Sequence, residues 1–250
     1  IYSELIMSNI LIIKHGSLGD LIQANGAIKD IKNFYKNRKV FLLTSQPYAI
    51  FMSECPYIDG VIIDKRLPRW NLFYLHSLKN NLARHNFSKV FDLQNSKRTR
   101  FYKKFILNKG VEWSSSETIL ELGQKKSDFD KDPVLDRIEL QLKKSGIDTE
   151  FTKNINLDWA VKDVQRLVKQ YSNNEYILLF PFCSKKHQNK KWPYFKEFIA
   201  KLKQDYKNKY PILLAPGPNE IEEANFLNAK VVTNDNNFVD IKTLISLISN

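Results

Sequence analysis

Short aliphatic runs alternate along this chain with stretches of helical periodicity, and this alternation constrains the fold more than any other feature of the sequence. The first run covers residues 9–14, and Leu21, Ala24, Ile28 and Ile31 then recur at helical spacing. Alternation of this kind is typical of βα units that build a parallel sheet. The pattern predicts strands at residues 9–14, 39–44, 60–64, 89–93, 176–180, 211–215 and 230–233. It predicts helices at residues 21–35, 72–82, 98–107, 133–145, 193–209, 221–228 and 238–248.

The pattern is interrupted near residue 172 and then restarts. Residues 158–171 carry one apolar face, and the polar residues 172–175 follow, which indicates a linker region. We therefore predict an α/β fold of two Rossmann-like, doubly wound parallel-sheet domains, at residues 1–172 and 173–250. The second has only three predicted strands, which is few for a domain of this kind, so we expect it to be incomplete.

Composition bounds the class of protein. Of 250 residues, 43% are hydrophobic and 26% are charged, which excludes a collagen, a disordered acidic chain and a disulfide-stapled mini-protein. Cys55 and Cys183 fit no disulfide or metal spacing, which favours a reducing compartment. No apolar run approaches the roughly 18 residues that a membrane span needs. We therefore expect a cytoplasmic protein without a transmembrane segment.

The net charge is +12, and residues 29–109 alone hold 17 basic against 5 acidic residues. A field of this size attracts phosphate-rich partners such as nucleic acid, anionic lipid or a nucleotide-linked substrate. The 31 lysines against 8 arginines are also typical of the coding bias of an AT-rich genome. Nucleic-acid binding is the alternative that the charge favours, but the sequence carries no recognition-module signature, and we expect no nucleic-acid partner.

The first strand-to-helix turn, residues 15–20 (HGSLGD), has a composition suited to ligand binding. Its two glycines and Ser17 allow close backbone approach, and the helix after it presents free N–H groups. The turn is neither a dinucleotide fingerprint nor a P-loop, because the third glycine and the Gly-Lys-Ser/Thr sequence are absent. Asp20 stands where a carboxylate caps a helix, the role that the turn alone favours; the alternative is a general base at the carboxyl edge of the sheet.

Polar residues also follow the strand at residues 89–93. Asp92, Gln94 and Ser96 would line the same edge of the sheet, and Arg98 could meet an anionic ligand. A capped helix start with a solvated basic face is the alternative, and for the arginine it is the favoured one.

Two further turns lie in the second half. Ser184, Lys190 and Lys191 belong to a lysine-rich loop closed by Trp-Pro, which suits a diphosphate because lysine supplies a point charge. Cys183 lacks a histidine and acid partner in sequence, so we interpret it as a loop thiol. Glu220, in the turn at residues 215–220, either interacts with a helix dipole or binds sugar hydroxyls.

The order and spacing of these turns resemble glycosyltransferase family 9, the ADP-heptose:lipopolysaccharide heptosyltransferases. Residues 10–31 (ILIIKHGSLGDLIQANGAIKDI) resemble the opening of that family, and residues 90–100 (VFDLQNSKRTR) resemble its Asp-Leu-Gln-Gly-Ser segment. Residues 177–202 are similar to its Pro-Gly-Ala-Ser and Lys-Arg-Trp-Pro segment, and residues 213–224 to its Gly-Gly-Pro-x-Glu turn. The resemblance runs from about residue 10 to the end of the chain.

The resemblance implies a GT-B architecture whose N-terminal domain binds an acceptor and whose C-terminal domain binds a nucleotide-sugar. It implies an inverting, metal-independent transferase that moves a heptose-like sugar from an ADP-heptose-type donor to a lipopolysaccharide core or related surface glycan, without another cofactor. Asp20 is then the base, and Lys190 stabilises the leaving diphosphate. An anionic glycolipid acceptor implies peripheral contact with the inner membrane. The implied substrate-binding residues are Ser17, Gly19, Asp92, Gln94, Ser96, Arg98, Ser184, Lys191 and Glu220.

Two departures separate this chain from the family pattern. Phe182 and Cys183 replace the usual Gly-Ala pair, and the later Asp-Thr-Gly-x-x-His segment that grips the donor has no counterpart before Asn250. We therefore expect a C-terminally truncated chain. The alternative to an enzyme is a non-catalytic remnant that binds anionic glycolipid or nucleotide.

Overall fold

The structure is a computed structural model that describes residues 8–108, 110–173, 175–183 and 185–250, with the backbone alone at 185–187. Its chain divides into two compact units, Ile1–Trp159 and Ala160–Asn250. Among the residues so described, no helix combines the length and the apolar character needed to cross a bilayer.

The first unit is built on a five-stranded parallel sheet with the order β3-β2-β1-β4-β5. Ile10, Leu11, Ile12 and Ile13 of the central strand are fully buried, as expected for a parallel strand covered by helices on both faces. The strands are β1 (Asn9–Ile13), β2 (Val40–Ser45), β3 (Gly60–Asp64), β4 (Phe87–Asp92) and β5 (Glu112–Ser114). The helices are α1 (Leu18–Phe34), α2 (Gln46–Ser53), α3 (Leu72–Ala83), α4 (Lys97–Phe105), α5 (Ser116–Ile119), α6 (Lys126–Phe129) and α7 (Val134–Lys143).

Strand order reverses at β1, and this places the helices in two layers. Right-handed crossovers put α1 and α2 on one face of the sheet and α3 and α4 on the other. The second face is covered by Leu75, Leu78 and Leu82 of α3 and by Tyr102 of α4. On the first face, α1 packs against α7. The carboxyl ends of β1 and β4 lie side by side at this reversal, where open α/β sheets bind ligands.

The second unit has a smaller parallel sheet with the order β6-β7-β8. Separate apolar clusters pack around Leu213 and around Ile199, so both faces of the sheet are covered. The strands are β6 (Ile177–Leu179), β7 (Ile212–Leu214) and β8 (Lys230–Val231). The helices are α8 (Gln165–Val168), α9 (Phe195–Asp205), α10 (Ile221–Asn225) and α11 (Ile241–Ser249), with 3-10 helices at Asp158–Ala160 and Lys185–Lys190.

The predicted fold class, two parallel-sheet α/β units, is confirmed. The boundary between the units along the chain lies at Trp159/Ala160, whereas the sequence pattern placed it at 172/173. It lies earlier because Val164 and Val168 pack into the core of the second unit around Leu213. The apolar face at residues 158–171 is therefore part of that unit rather than a linker. The structure also has β5 and α2, which the sequence pattern did not predict.

Candidate functional site at the carboxyl ends of the strands

The turn after β1 requires glycine at its second position. Gly16 has a φ of +111°, and a Cβ there would collide with the ring of Tyr48. Gly19 faces open space instead, since a Cβ at this position would meet no described atom within 4 Å. The turn therefore leaves room for a ligand over Gly19 at the N-terminus of α1, where the helix favours an anion or a hydroxyl group.

Asp20 caps this turn with one carboxylate oxygen. Its Oδ2 accepts hydrogen bonds from the Ser17 backbone N–H at 2.7 Å and from Ser17 Oγ at 3.1 Å. Asp20 is half-buried and Ser17 is exposed. No side chain or backbone group in the described part of the chain hydrogen-bonds the other oxygen, Oδ1. The helix-cap role and a role as base thus use different oxygens of the same carboxylate.

A buried polar network lies directly behind the turn. His15 Nε2 stands 2.7 Å from Asp64 Oδ2 at the end of β3. Tyr102 of α4 donates to Asp64 Oδ2 at 2.7 Å, Tyr74 of α3 donates to Asp64 Oδ1, and the two tyrosine oxygens are 3.2 Å apart. Arg98 donates to Tyr102 Oη at 2.8 Å. The network ties the first residue of the turn to β3, α3 and α4, so the turn has a rigid support.

The electrostatics of this network keep Asp64 ionised. Burial acts to raise the pKa of Asp64, but hydrogen bonds from His15, Tyr74 and Tyr102 outweigh it and hold the pKa well below its usual range. Burial also raises the pKa of Tyr102 to about 12 and that of Tyr74 further, with the Asp64 carboxylate adding to both shifts. Both tyrosines are therefore hydrogen-bond donors at neutral pH.

A buried lysine stands beside the network. Lys14 Nζ donates to the Leu93 carbonyl oxygen at 3.1 Å, which joins the end of β1 to the turn after β4. Burial lowers the pKa of Lys14, and the carboxylates of Asp20 and Asp92 oppose this shift only in part. Burial thus disfavours the charged form of Lys14, whereas the two neighbouring carboxylates favour it.

The turn after β4 uses its predicted ligand-binding side chains to hold its own backbone. Asp92 Oδ1 accepts from the N–H groups of Gln94 at 3.1 Å and Asn95 at 2.9 Å, and burial raises the pKa of Asp92 to about 6. Gln94 Oε1 accepts from the His15 N–H at 2.8 Å, so it joins the two turns. Ser96 caps α4 by accepting from the Thr99 N–H at 3.2 Å. Their substrate contacts stay predictions.

Arg98 is likewise engaged by the protein. Besides Tyr102, its guanidinium donates to the carbonyl oxygens of Arg66 at 3.1 Å and Leu67 at 2.9 Å. This arginine therefore fixes the segment between β3 and α3, whereas the favoured interpretation from sequence was a solvated basic face.

In the second unit, the predicted lysines differ in their surroundings. Lys190 is exposed at the end of the 3-10 helix Lys185–Lys190 and has no hydrogen-bond or ion-pair partner among the residues described. Lys191 pairs with Glu223 of α10, and its Nζ lies 5.7 Å from the ring centroid of Phe182. Glu220 Oε2 accepts from the Gly217 N–H at 2.7 Å and so closes its own turn. Ser184 lies outside the described residues.

No sequence pattern predicted a role for His15, Asp64, Tyr74 and Tyr102. An aspartate as the last residue of a predicted strand is a visible signal for Asp64, because polar residues at this edge face the ligand side of such sheets. The tyrosines give no comparable signal, since their spacing also fits an ordinary apolar helix face. Across the described residues, no group of three or more His, Cys, Asp or Glu side chains is close enough to hold a metal ion.

No family model matches this sequence, and no curated protein matches it either. Solved structures do. The chain is similar in structure to E. coli heptosyltransferase WaaC with ADP-2-deoxy-2-fluoro heptose, with a TM-score of 0.68 and 17% identity over 96% of this chain and 80% of that one. It is similar to a family 9 glycosyltransferase from Veillonella parvula, with a TM-score of 0.66 and 15% identity over 92% and 70% of the two chains.

A third similar structure is E. coli ADP-heptose lps heptosyltransferase II, with a TM-score of 0.57 and 17% identity over 88% of this chain and 67% of that one. These matches confirm the GT-B fold class that the resemblance implied, and this chain has a larger and a smaller parallel sheet. At this identity they show the fold, and the chemistry must be argued from the residues.

Proposed function

We propose that this protein is an inverting, metal-independent glycosyltransferase of the family 9 type. It moves a heptose-like sugar from an ADP-heptose-type donor to a lipopolysaccharide core or a related surface-glycan acceptor. The observation that carries the proposal is the geometry of Asp20, whose Oδ2 is anchored by Ser17 while no described group bonds Oδ1. Support also comes from the similar fold of E. coli heptosyltransferase WaaC, which has one structure with ADP-2-deoxy-2-fluoro heptose and another with ADP.

Asp20 is the general base in this proposal. The acceptor hydroxyl gives its proton to Asp20 Oδ1, its oxygen forms a bond to the anomeric carbon, and the bond from that carbon to the diphosphate oxygen breaks. A single displacement of this kind inverts the anomeric configuration. The buried network of Asp64, Tyr102 and His15 supports the turn, because a base must be held in place to take the proton efficiently.

Lys190 stabilises the charge that develops on the departing ADP. Its exposed ammonium group has no described partner, so a diphosphate does not have to compete with a protein carboxylate for it. Lys191 and Ser184 assist as secondary diphosphate contacts, and Glu220 contacts the sugar or ribose hydroxyls. Lysine charge and backbone N–H groups supply the electrostatic stabilisation that a divalent ion supplies in other transferases.

The remaining predicted contacts belong to the acceptor. Ser17 and Gly19 present the open side of the turn, and Asp92, Gln94 and Ser96 shape the neighbouring turn by the hydrogen bonds already described. Arg98 fixes the segment between β3 and α3. The excess of basic residues in the first unit suits an acceptor with carboxylates and phosphates. We also propose a cytoplasmic location with peripheral contact at the inner membrane, where such a glycolipid is available.

A donor panel tests this function. The protein is incubated with lipopolysaccharide lacking core heptose and with ADP-heptose or a UDP-sugar, and the acceptor mass is followed. The proposal predicts one added heptose, with ADP-heptose preferred, and an inverted linkage by NMR. Calorimetric binding of ADP-heptose without any transfer would instead support the non-catalytic binding module.

A further inference from the structure

We propose that the surface between β3 and α3, together with the exposed face of α4, is a docking surface for an anionic lipid bilayer. This inference rests on the proposed function, because that function has an acceptor that is anchored in the bilayer by its lipid. We call the central part of the surface the Trp70 patch. It consists of Lys65, Arg66, Leu67, Arg69, Trp70, Leu72 and Phe73.

The Trp70 patch exposes large apolar side chains that a protein core would normally cover. Trp70 is 83% exposed, Phe73 is 91% exposed and Leu72 is 73% exposed. Single exposed apolar residues are common on protein surfaces, but a contiguous group with tryptophan and phenylalanine marks an interaction site. Tryptophan, phenylalanine and leucine beside lysine and arginine are the composition of segments that lie in the membrane interface.

The fold holds these side chains outward. Asn71 caps α3 by accepting from the Tyr74 N–H at 3.0 Å, and Tyr74, Leu75 and Leu78 take the buried face of that helix. Leu72 and Phe73, in the first turn of α3, are left on the exposed side. Their exposure therefore follows from the orientation of α3 and is a fixed feature of the first unit.

The segment before α3 is fixed to α4. Arg98 of α4 holds the carbonyl oxygens of Arg66 and Leu67, and the guanidinium carbon of Arg69 lies 5.6 Å from the ring centroid of Phe101. The Trp70 patch and α4 are therefore parts of one preformed surface, which a bilayer can bind without first ordering a loop.

The charged residues of the Trp70 patch and of α4 are all basic, and among them Arg100 pairs with Glu117 of α5. The sequence contains no Asp or Glu at residues 65–91 or at residues 93–111. On α4, Lys97, Lys103 and Lys104 are exposed, and Phe105 is exposed beside them. Basic residues attract anionic lipid headgroups within about one Debye length, while apolar side chains enter the interface. The combination of basic and exposed apolar side chains favours a bilayer as the partner. Non-specific binding of nucleic acid would require only the basic residues.

Vesicle co-sedimentation of the full chain tests the docking surface. Vesicles contain phosphatidylethanolamine with phosphatidylglycerol or, in a second set, phosphatidylcholine alone. We expect the wild type to bind the anionic vesicles, and to bind them more weakly at high salt. In the Trp70→Ser/Phe73→Ser variant, the apparent partition coefficient should fall by about tenfold or more. The matched control is Phe226→Ser, because Phe226 is an exposed aromatic residue of the second unit, 74% exposed. This variant should bind vesicles like the wild type.

A second readout locates the contact. Quenching of tryptophan fluorescence by brominated lipids should be strong in the wild type and largely lost in Trp70→Phe, which keeps an aromatic side chain. Equal vesicle binding by wild type and the Trp70→Ser/Phe73→Ser variant would overturn the proposal. The proposal would also be overturned if neither the wild type nor this variant bound anionic vesicles while both bound DNA equally well.

The failure of the docking proposal is distinguishable from failure of the proposed function. Transfer to a delipidated, water-soluble acceptor without vesicles should be the same in wild type and the Trp70→Ser/Phe73→Ser variant, because neither residue lies in the catalytic turn. Vesicle binding by a protein that transfers no sugar would reject the transferase and keep the docking surface. Loss of transfer to the soluble acceptor in the variant would contradict a purely docking role.

Discussion

The turn after β1 and the lysine-bearing loop after β6 were both predicted to carry chemistry, and they are built in opposite ways. In the first, Asp20 is held by Ser17, and the His15 N–H donates to Gln94 of the turn after β4. In the second, Lys190 projects from a 3-10 helix without a described partner. The carboxylate is thus fixed before any ligand arrives, whereas the cation is left for the ligand to engage.

This difference agrees with the roles proposed for the two charges. A general base acts on a single proton and depends on placement within a fraction of an ångström, so a rigid support is useful. An ammonium group facing a diphosphate acts as a point charge on a flexible stem, and its direction is less critical. In the proposed mechanism, the buried network therefore supports the base, and the cation for the diphosphate needs no such support.

Removing the free cation should have a large effect on transfer. Lys190→Ala is expected to lower kcat with ADP-heptose by about 10²–10³, because one electrostatic donor to the developing charge is lost. Lys191→Ala is the matched control and should lose tenfold or less, since that lysine is already paired with Glu223. Steady-state kinetics with both variants checks this. A larger loss in Lys191→Ala would reverse the comparison.

Breaking the support of the turn should reduce stability. Asp64→Asn leaves His15 without its charged partner and is expected to cost about 3 kcal/mol at pH 7. Because the pKa of Asp64 is depressed in the folded state, its contribution is present above about pH 4 and is lost as pH falls further. Calorimetric unfolding at pH 7 and below pH 3 measures this difference. The free energy of unfolding of the variant should be closer to that of the wild type in acid than at pH 7.

The exposed Asp148 provides the matched control for that experiment. Asp148→Asn should unfold at the wild-type temperature at both pH values. An Asp64→Asn protein as stable as wild type at pH 7 would show that the network does not support the turn.

A milder change tests one bond of the network. Tyr102→Phe removes the donor to Asp64 and the acceptor for Arg98, while Arg98 keeps the carbonyl oxygens of the segment before α3. We expect a loss of about 1–2 kcal/mol in the free energy of unfolding. Tyr206→Phe, at an exposed tyrosine, is the control and should be neutral. Urea unfolding measures both, and equal stability of the two variants would contradict the assignment.

The smallest expected effect has the opposite sign. Burial raises the pKa of Asp92 to about 6, so the folded state binds more protons than the unfolded chain between about pH 4 and pH 6. Stability contributed by this group therefore falls as pH rises through that range. Asp92→Asn keeps the acceptor for the turn N–H groups and should gain about 1 kcal/mol at pH 7.

Thermal unfolding across this pH range measures the difference. The variant should show a shallower decline from pH 4 to pH 6 than wild type. A variant that is less stable than wild type at pH 7 would mean that the charged carboxylate is required in the turn.

The sequence allowed most of the fold and part of the site to be predicted. Of the eight strands found in the described residues, seven were predicted, because buried parallel strands are aliphatic and bounded by turns. The strand β5 was missed because its three residues, Glu112–Ser114, contain no aliphatic run. The helix α2 follows β2 without an intervening turn, so periodicity did not separate them.

The site was harder to predict because its bonds join residues far apart in the sequence. Asp64 and Tyr102 are 38 positions apart, and Lys14 is 79 positions from the carbonyl group it contacts. Short-range patterns favoured a helix cap at Asp20, with a base as the alternative, but could not show that the cap uses Oδ2 alone. For Arg98 they favoured a solvated basic face, but the structure gives its guanidinium protein partners that are distant in sequence.

The most direct test of the account is to separate binding from transfer in Asp20→Asn. The amide can still accept from Ser17, so the turn and the fold should persist, but it cannot take a proton at neutral pH. We predict a dissociation constant for ADP-heptose within twofold of wild type and a kcat for heptose transfer lower by about 10²–10⁴. Near wild-type kcat in a folded Asp20→Asn protein would contradict the account.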